Sequence, residues 1–130
     1  DCLRSASHKN SVAVVVVTSD KCYQNNELGV PFFEADPLGG QDPYSSSKAC
    51  TELVVQSYRD SFFSTNDCVI SVATGRAGNV IGGGDGSRDR LIPDAMRAFS
   101  GGRILHLRNP HSVRPWQHVL EPISGYLTLA

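Results

Sequence analysis

A phenol and an ammonium stand four residues apart in Asp42-Pro43-Tyr44-Ser45-Ser46-Ser47-Lys48. If this stretch is helical, both side chains lie on one face, one turn apart. The neighbouring cation and the positive end of a helix starting here both favour the phenolate. A tyrosine so placed can take a proton from an alcohol near neutral pH, which a free phenol does not do. Alone, Tyr-x-x-x-Lys is equally a packed tyrosine beside a solvated lysine, and on the motif by itself that bland reading is preferred. A second group, Ser19-Asp20-Lys21, sets a hydroxyl, a carboxyl and an amine in succession. Its bland reading is a cap followed by a solvated turn pair. Arg76, Arg88, Arg90, Arg108 and Arg114 are candidates for gripping a diphosphate, because guanidinium matches phosphate geometry. Most such arginines are solvated surface; Arg114, between Val113 and Pro115 beside Trp116, is the strongest of them.

The elements that must position these groups are legible in pattern. Asp42 suits a helix cap and Pro43 the first helical position. Cys50, Leu53, Val54 and Tyr58 then recur at helical spacing, which predicts a helix from Pro43 to about Phe62. Asp1 to Lys9 reads as the tail of a helix. Ser11 to Val17 is a β-branched run without polar alternation, the mark of a strand buried on both faces of a parallel sheet. Thr18 to Tyr23 lies at its carboxyl end. Asn25 to Gln41 is a long loop rich in Gly, Pro and acidic residues. Ser64 to Asp67 is a turn and Cys68 to Thr74 a second strand, so the order is a βαβ crossover. After Gly75, Arg76 to Gly86 reads as a glycine-rich loop. It does not fit Gly-x-Gly-x-x-Gly, because Ser87 stands where the last glycine should be. Leu91 to Ser100 can form a helix stopped by Gly101-Gly102, Ile104 to Leu107 a short strand, and Pro110 to Pro115 a loop. Val119 to Ala130 begins another helix with Pro122 in its first turn.

The fold class is therefore α/β. Residues 1–75 form part of a Rossmann-like, doubly wound parallel-sheet domain, and 76–130 the start of a smaller substrate-binding region with connecting segments. In open α/β sheets ligands bind beyond the carboxyl ends of the strands. Ser19 to Lys21, Arg76 to Asn79 and Tyr44 all converge on that rim. The convergence favours a site over the separate bland readings.

Composition bounds the rest. A net charge of −1 gives no case for nucleic acid or an anionic membrane. Val12 to Val17 is too short to span a bilayer. No charged-then-apolar leader opens the chain, so no secretion signal is expected. Cys2, Cys22, Cys50 and Cys68 are scattered, without the close pairs of a zinc site. An even count permits two disulfides, but reduced thiols in the cytoplasm are the preferred expectation. His8, His106, His111 and His118 show no metal spacing, and no metal is assigned.

With these residues in view, the chain resembles the extended short-chain dehydrogenase/reductase superfamily, and within it the nucleotide-sugar 4,6-dehydratases that act on CDP-glucose. The matching segments are Thr18 to Tyr23, Asp42 to Lys48, Arg76 to Asp85, Asp89 to Asp94, and Arg108 to His111 with Arg114 to Val119, spanning nearly the whole chain in the family's order. Tyr-x-x-x-Lys is shared by the entire superfamily; the Ser-Asp-Lys triplet is far more selective. The resemblance implies NAD-dependent dehydration of CDP-glucose to the 4-keto-6-deoxy sugar. Tyr44 would deprotonate the 4-hydroxyl, Lys48 hold the nicotinamide ribose, and Ser19 share the 4-oxygen. Lys21, if buried, would be the base at C5, and Asp20 would protonate the departing 6-hydroxyl. Ala77 and Val80 would contact the cofactor, and Asn79, Arg90 and Arg114 the nucleotide diphosphate.

It further implies a cytoplasmic homo-oligomer serving lipopolysaccharide O-antigen biosynthesis. The family's amino-terminal glycine fingerprint is absent here, so the chain is expected to be an internal segment of a longer enzyme and inactive when isolated. The alternatives are another nucleotide-sugar dehydratase or epimerase of the superfamily, Asp20-Lys21 speaking against the epimerase, or a non-catalytic piece.

Overall fold

The β-branched run forms strand β1, Val12–Val17, and Ile70–Gly75 forms β2. They pair in parallel, from Val12 opposite Ile70 to Val17 opposite Gly75. In this computed structural model the described residues are 3, 11–26, 29–64 and 69–130. The expected amino-terminal helix, apart from Leu3, and most of the turn before β2, with Cys2, His8 and Cys68, lie outside them. The ladder continues past the strand ends, through the Val12 amide to the Val69 carbonyl and the Thr18 amide to the Gly75 carbonyl, both at 2.8 Å.

Between the strands runs helix α1, Pro43–Tyr58. Asp42 caps it: one carboxylate oxygen accepts from the amides of Tyr44 and Ser45, each at 3.0 Å. Pro43 costs the helix nothing at its first position, where its missing N–H has no partner to lose. A single wider turn, Arg59–Phe63, follows α1. The expected helix to Phe62 is thus present, with its last turn loosened.

Two expectations about burial fail. β1 reads as covered on both faces, yet its residues are half-buried or exposed, Val17 at 51%. The reason is that among the described residues β1 pairs only with β2. In α1 the apolar stripe through Leu53 and Val54 faces outward, each 56% exposed, and the buried positions are Ser45, Ala49 and Glu52. The inner face is small and polar because it meets the polar carboxyl ends of the strands.

After β2 the chain forms β3, Asn79–Ile81, then α2, Leu91–Ser100, β4, Trp116–His118, and α3, Leu120–Leu129. β3 and β4 make a second parallel pair, Asn79 opposite Trp116 and Ile81 opposite His118. The segment expected to be a glycine-rich loop therefore contains a strand. Its bracketing glycines serve close approach: a Cβ on Gly78 would meet Pro115 Cγ at 2.7 Å, and one on Gly82 would meet Val119 Cγ1 at 2.8 Å. Ile104 to Leu107 forms no strand; Ile104 is 82% exposed, and no strand among the described residues pairs with the segment. α1 and α3 both pack on β2. Among the described residues no helix is long and apolar enough to cross a membrane.

Candidate active site

β1 delivers Thr18 and Ser19 to the rim, both buried. The chain then tightens into a single 3-10 turn, Asp20–Cys22, capped by Ser19, whose Oγ accepts from the Lys21 amide at 3.2 Å. The same hydroxyl donates to Asp20 Oδ1 at 3.0 Å. The turn is fixed from two sides. The Asp20 amide donates to the Ala77 carbonyl at 3.1 Å, and the Gly39 amide to the Cys22 carbonyl at 2.8 Å. Cys22 is fully buried beneath it, and burial pushes its thiol pKa up.

α1 starts against this turn. The Asp42 carboxyl is held below its usual range, first by the Ser45 hydroxyl and then by the Ser45 amide; the Tyr44 amide and the Lys21 charge act in the same direction. Lys21 therefore stands within electrostatic reach of the helix start. Tyr44 is 56% exposed and Lys48 half-buried, with Lys48 Nζ 5.6 Å from the centre of the Tyr44 ring. Ser19, Asp20, Lys21, Tyr44 and Lys48 thus share the rim. Lys21 is half-buried, so the burial expected of a base is met only in part.

Arg76 is not a free phosphate grip. Its guanidinium donates to Glu52 Oε2 at 2.9 Å, to the Tyr23 hydroxyl at 2.9 Å and to the Glu34 carbonyl at 3.0 Å. It also lies 4.9 Å from the centre of the Tyr23 ring, and Tyr23 stacks on Phe32. Glu52, only 4% exposed, accepts from Thr18 Oγ1 and, at 2.8 Å, from Thr74 Oγ1. Burial alone would raise its pKa, but the Arg76 bond, then those from Thr18 and Thr74, outweigh it and hold the carboxyl ionised below its usual range. Sequence reasoning missed Glu52. The signal was available, a carboxylate one turn beyond Lys48 on the stripe that begins at Tyr44.

The second strand pair brings Asn79 and the Arg114 segment together, with the Asn79 amide donating to the Pro115 carbonyl at 3.0 Å. Arg114 is exposed and, among the described residues, donates only to the Val113 carbonyl, at 3.2 Å. Arg90, also exposed, stands apart at the start of α2, within electrostatic reach of Asp85. Ala77 lies just beyond β2, and Val80 follows Asn79 in β3, 43% exposed. Arg88 is exposed, and Arg108 lies beside Asp89, its donor 3.3 Å from the Asp89 carbonyl.

A parallel crossover with a capped Tyr-x-x-x-Lys helix beside the strand ends is matched by the model of the NAD dependent epimerase/dehydratase family over residues 2–130. The chain belongs to that family. It is 53% identical over 124 residues to the CDP-glucose 4,6-dehydratase of Salmonella typhimurium, covering 93% of this chain and 34% of that protein. It is similar in structure to a dTDP-glucose 4,6-dehydratase of Streptomyces venezuelae, a double mutant with NAD and DAU bound, at TM-score 0.76 and 25% identity over 91% of this chain and 35% of that one. The dTDP-glucose 4,6-dehydratase of Bacillus anthracis in complex with NAD gives TM-score 0.73 and 29% identity over 85% of this chain and 34% of that one. The chain thus spans about a third of the length of the relatives it matches. The Rossmann-like expectation holds, with parallel strands and neighbours of that fold.

Proposed function

We propose that the chain carries the reacting-group side of an NAD-dependent 4,6-dehydratase that converts CDP-glucose to CDP-4-keto-6-deoxyglucose. The observation that carries this reading is the Ser19-Asp20-Lys21 turn, fixed by backbone bonds to Ala77 and Gly39 and packed against the helix that bears Tyr44 and Lys48. Cytosine as the nucleobase is supported by the 53% identity to a CDP-glucose 4,6-dehydratase.

The residues present suit NAD at this rim. Tyr44 and Lys48 present a hydroxyl and an ammonium to solvent, and no hydrogen bond or ion pair to another described residue occupies either head group. Lys48 would bind the nicotinamide ribose, and Ala77 and Val80 would line the ring's approach. When bound, the cofactor would supply the redox chemistry, its oxidised form as acceptor of the C4 hydride and its reduced form as donor of that hydride to C6. Tyr44 removes the proton of the 4-hydroxyl, and Ser19, turning its one hydroxyl proton from Asp20 to the substrate, donates a hydrogen bond to the 4-oxygen. Lys21 takes the C5 proton, which the 4-ketone has acidified, and gives a proton back to C5 when hydride reaches C6. Asp20 gives a proton to the 6-hydroxyl as water leaves. Asn79, Arg90 and Arg114 grip the diphosphate, Asn79 from β3 and Arg114 from the segment just before β4. Residues 1–75 then belong to the cofactor-binding domain, whose rim carries the reacting groups, and 76–130 to the substrate-binding region with connecting segments, of which Ala77 and Val80 reach the cofactor. A cytoplasmic homo-oligomer feeding lipopolysaccharide O-antigen synthesis completes the reading.

A hybrid tests it: this chain replaces the matching stretch of the Salmonella enzyme, which brings its own remaining two-thirds. The expected result is turnover of CDP-glucose with appearance of the 4-keto product's absorbance. A folded hybrid that turns over only dTDP- or UDP-glucose would move the proposal to another nucleotide-sugar dehydratase. A C4 epimer as product would make it an epimerase.

A further inference from the structure

Glu52 is the most buried ionised group of the site, and the chemistry above does not use it. It lies eight residues beyond Tyr44 on α1, with Lys48 midway. At 1.5 Å per residue that is about 12 Å along the helix axis. Its two carboxylate oxygens reach different pieces of the fold. One accepts from Thr18, the residue before Ser19. The other accepts from Thr74 in β2 and from Arg76 just beyond it. Arg76 then carries the connection to Tyr23, directly after the Asp20–Cys22 turn, and to the Glu34 carbonyl in the long loop. One ion pair, its carboxylate buried and its guanidinium half-buried, therefore joins the helix bearing Tyr44 and Lys48, both strand ends, the turn bearing Asp20 and Lys21, and the loop beyond it.

We infer that Glu52 and Arg76 are positioning residues, a clamp that sets the angle of the Tyr44–Lys48 helix against the Ser19–Lys21 turn. The inference rests on the reading of the site given above. Its leverage is geometric. A rotation of about 5° about the Glu52 anchor displaces the Tyr44 end by about 1 Å. A displacement of that size costs about a hundredfold in a reaction that depends on aligned groups. Fixing the angle with a charged pair is also more exact than fixing it with apolar contacts, because the guanidinium fork accepts few geometries. The apolar stripe of α1 faces outward, so it cannot do this work among the described residues.

Removing one partner strands a buried charge and destabilises for that reason alone. The decisive variant therefore removes both, as Glu52→Leu/Arg76→Met, which keeps volume and leaves no unpaired charge. In the hybrid enzyme this double variant is expected to lose at least tenfold in kcat while KM stays within twofold. Amide exchange on the full chain gives a readout independent of the reaction. The Asp20, Cys22 and Gly39 amides should exchange at least tenfold faster, while the β1–β2 ladder amides keep their rates. A double variant with kcat within twofold of the parent overturns the clamp. So does equal acceleration of rim and ladder amides, which would make the pair a general stabiliser. If the parent hybrid shows no dehydration, the functional reading fails, and the exchange pattern still decides for or against the clamp.

Discussion

Gly75→Ala is a small change with a calculable cost. Gly75 ends β2, is buried, and carries the carbonyl that receives the Thr18 amide at 2.8 Å. A Cβ there would lie 2.6 and 2.7 Å from two ring carbons of Tyr126 and 3.6 Å from Val15 Cγ1. The ring contact is about 0.8 Å inside ordinary van der Waals separation. Gly75 does not adopt a positive φ, so the backbone itself tolerates alanine. The cost is therefore steric, and either Tyr126 leaves its place against β2 or α3 moves off the sheet. Inserting a methyl into a filled site of this kind costs about 1–3 kcal/mol. Urea denaturation followed by circular dichroism measures it. Tyr126→Leu removes the obstructing ring, so the two substitutions must couple, by about 1 kcal/mol or more in a double-mutant cycle. A neutral Gly75→Ala, or a loss that persists unchanged in the Tyr126→Leu background, would refute the packing of α3 on β2 described above.

In the hybrid enzyme, Tyr44→Phe should reduce hydride transfer about a hundredfold or more with substrate binding nearly unchanged, as transient NADH absorbance in stopped flow will show. Lys21→Ala should leave oxidation at C4 working and stop elimination; wild-type deuterium exchange at C5, followed by NMR, would remove Lys21 from the role of base. The Glu52 carboxyl has a depressed pKa in the folded chain, against an ordinary value of 4.5. Its contribution to stability is therefore complete above about pH 4.5 and lost as pH falls through the folded value. Melting curves between neutral and acid pH should show this limb in the parent and its weakening in Glu52→Gln, and an identical acid limb in the variant would contradict the network.

Where one residue type imposes one local geometry, the sequence was enough. Asp42-Pro43 announces the cap and first position of α1, and Gly101-Gly102 marks the end of α2, where Gly102 takes a φ of 62°. The Val12–Val17 run announces a strand through its β-branching. What pattern could not convey was which neighbour each surface meets. The helical spacing of Leu53 and Val54 is real, but it marks the side of α1 away from the strands. The inward side is set by a tertiary partnership between Glu52, Thr18, Thr74 and Arg76, residues up to 58 positions apart. Arg76 looked like a phosphate ligand for the same reason: only the fold shows its guanidinium already spoken for. β3 and β4 were hidden because Gly78 and Gly82 suggest a loop, whereas here they admit Pro115 and Val119 close to the backbone.

The central claim is that the rim of β1, α1 and β2 moves a hydride from C4 to C6 of one hexose with loss of water. CDP-glucose carrying deuterium at C4, turned over by the hybrid enzyme and examined by NMR, follows that hydride directly. The expected product is a 4-keto-6-deoxy sugar with the deuterium at C6 of the same molecule. Deuterium returned to C4 with inverted configuration, or a 4-keto-6-deoxy product with C6 hydrogen drawn only from solvent, would contradict it.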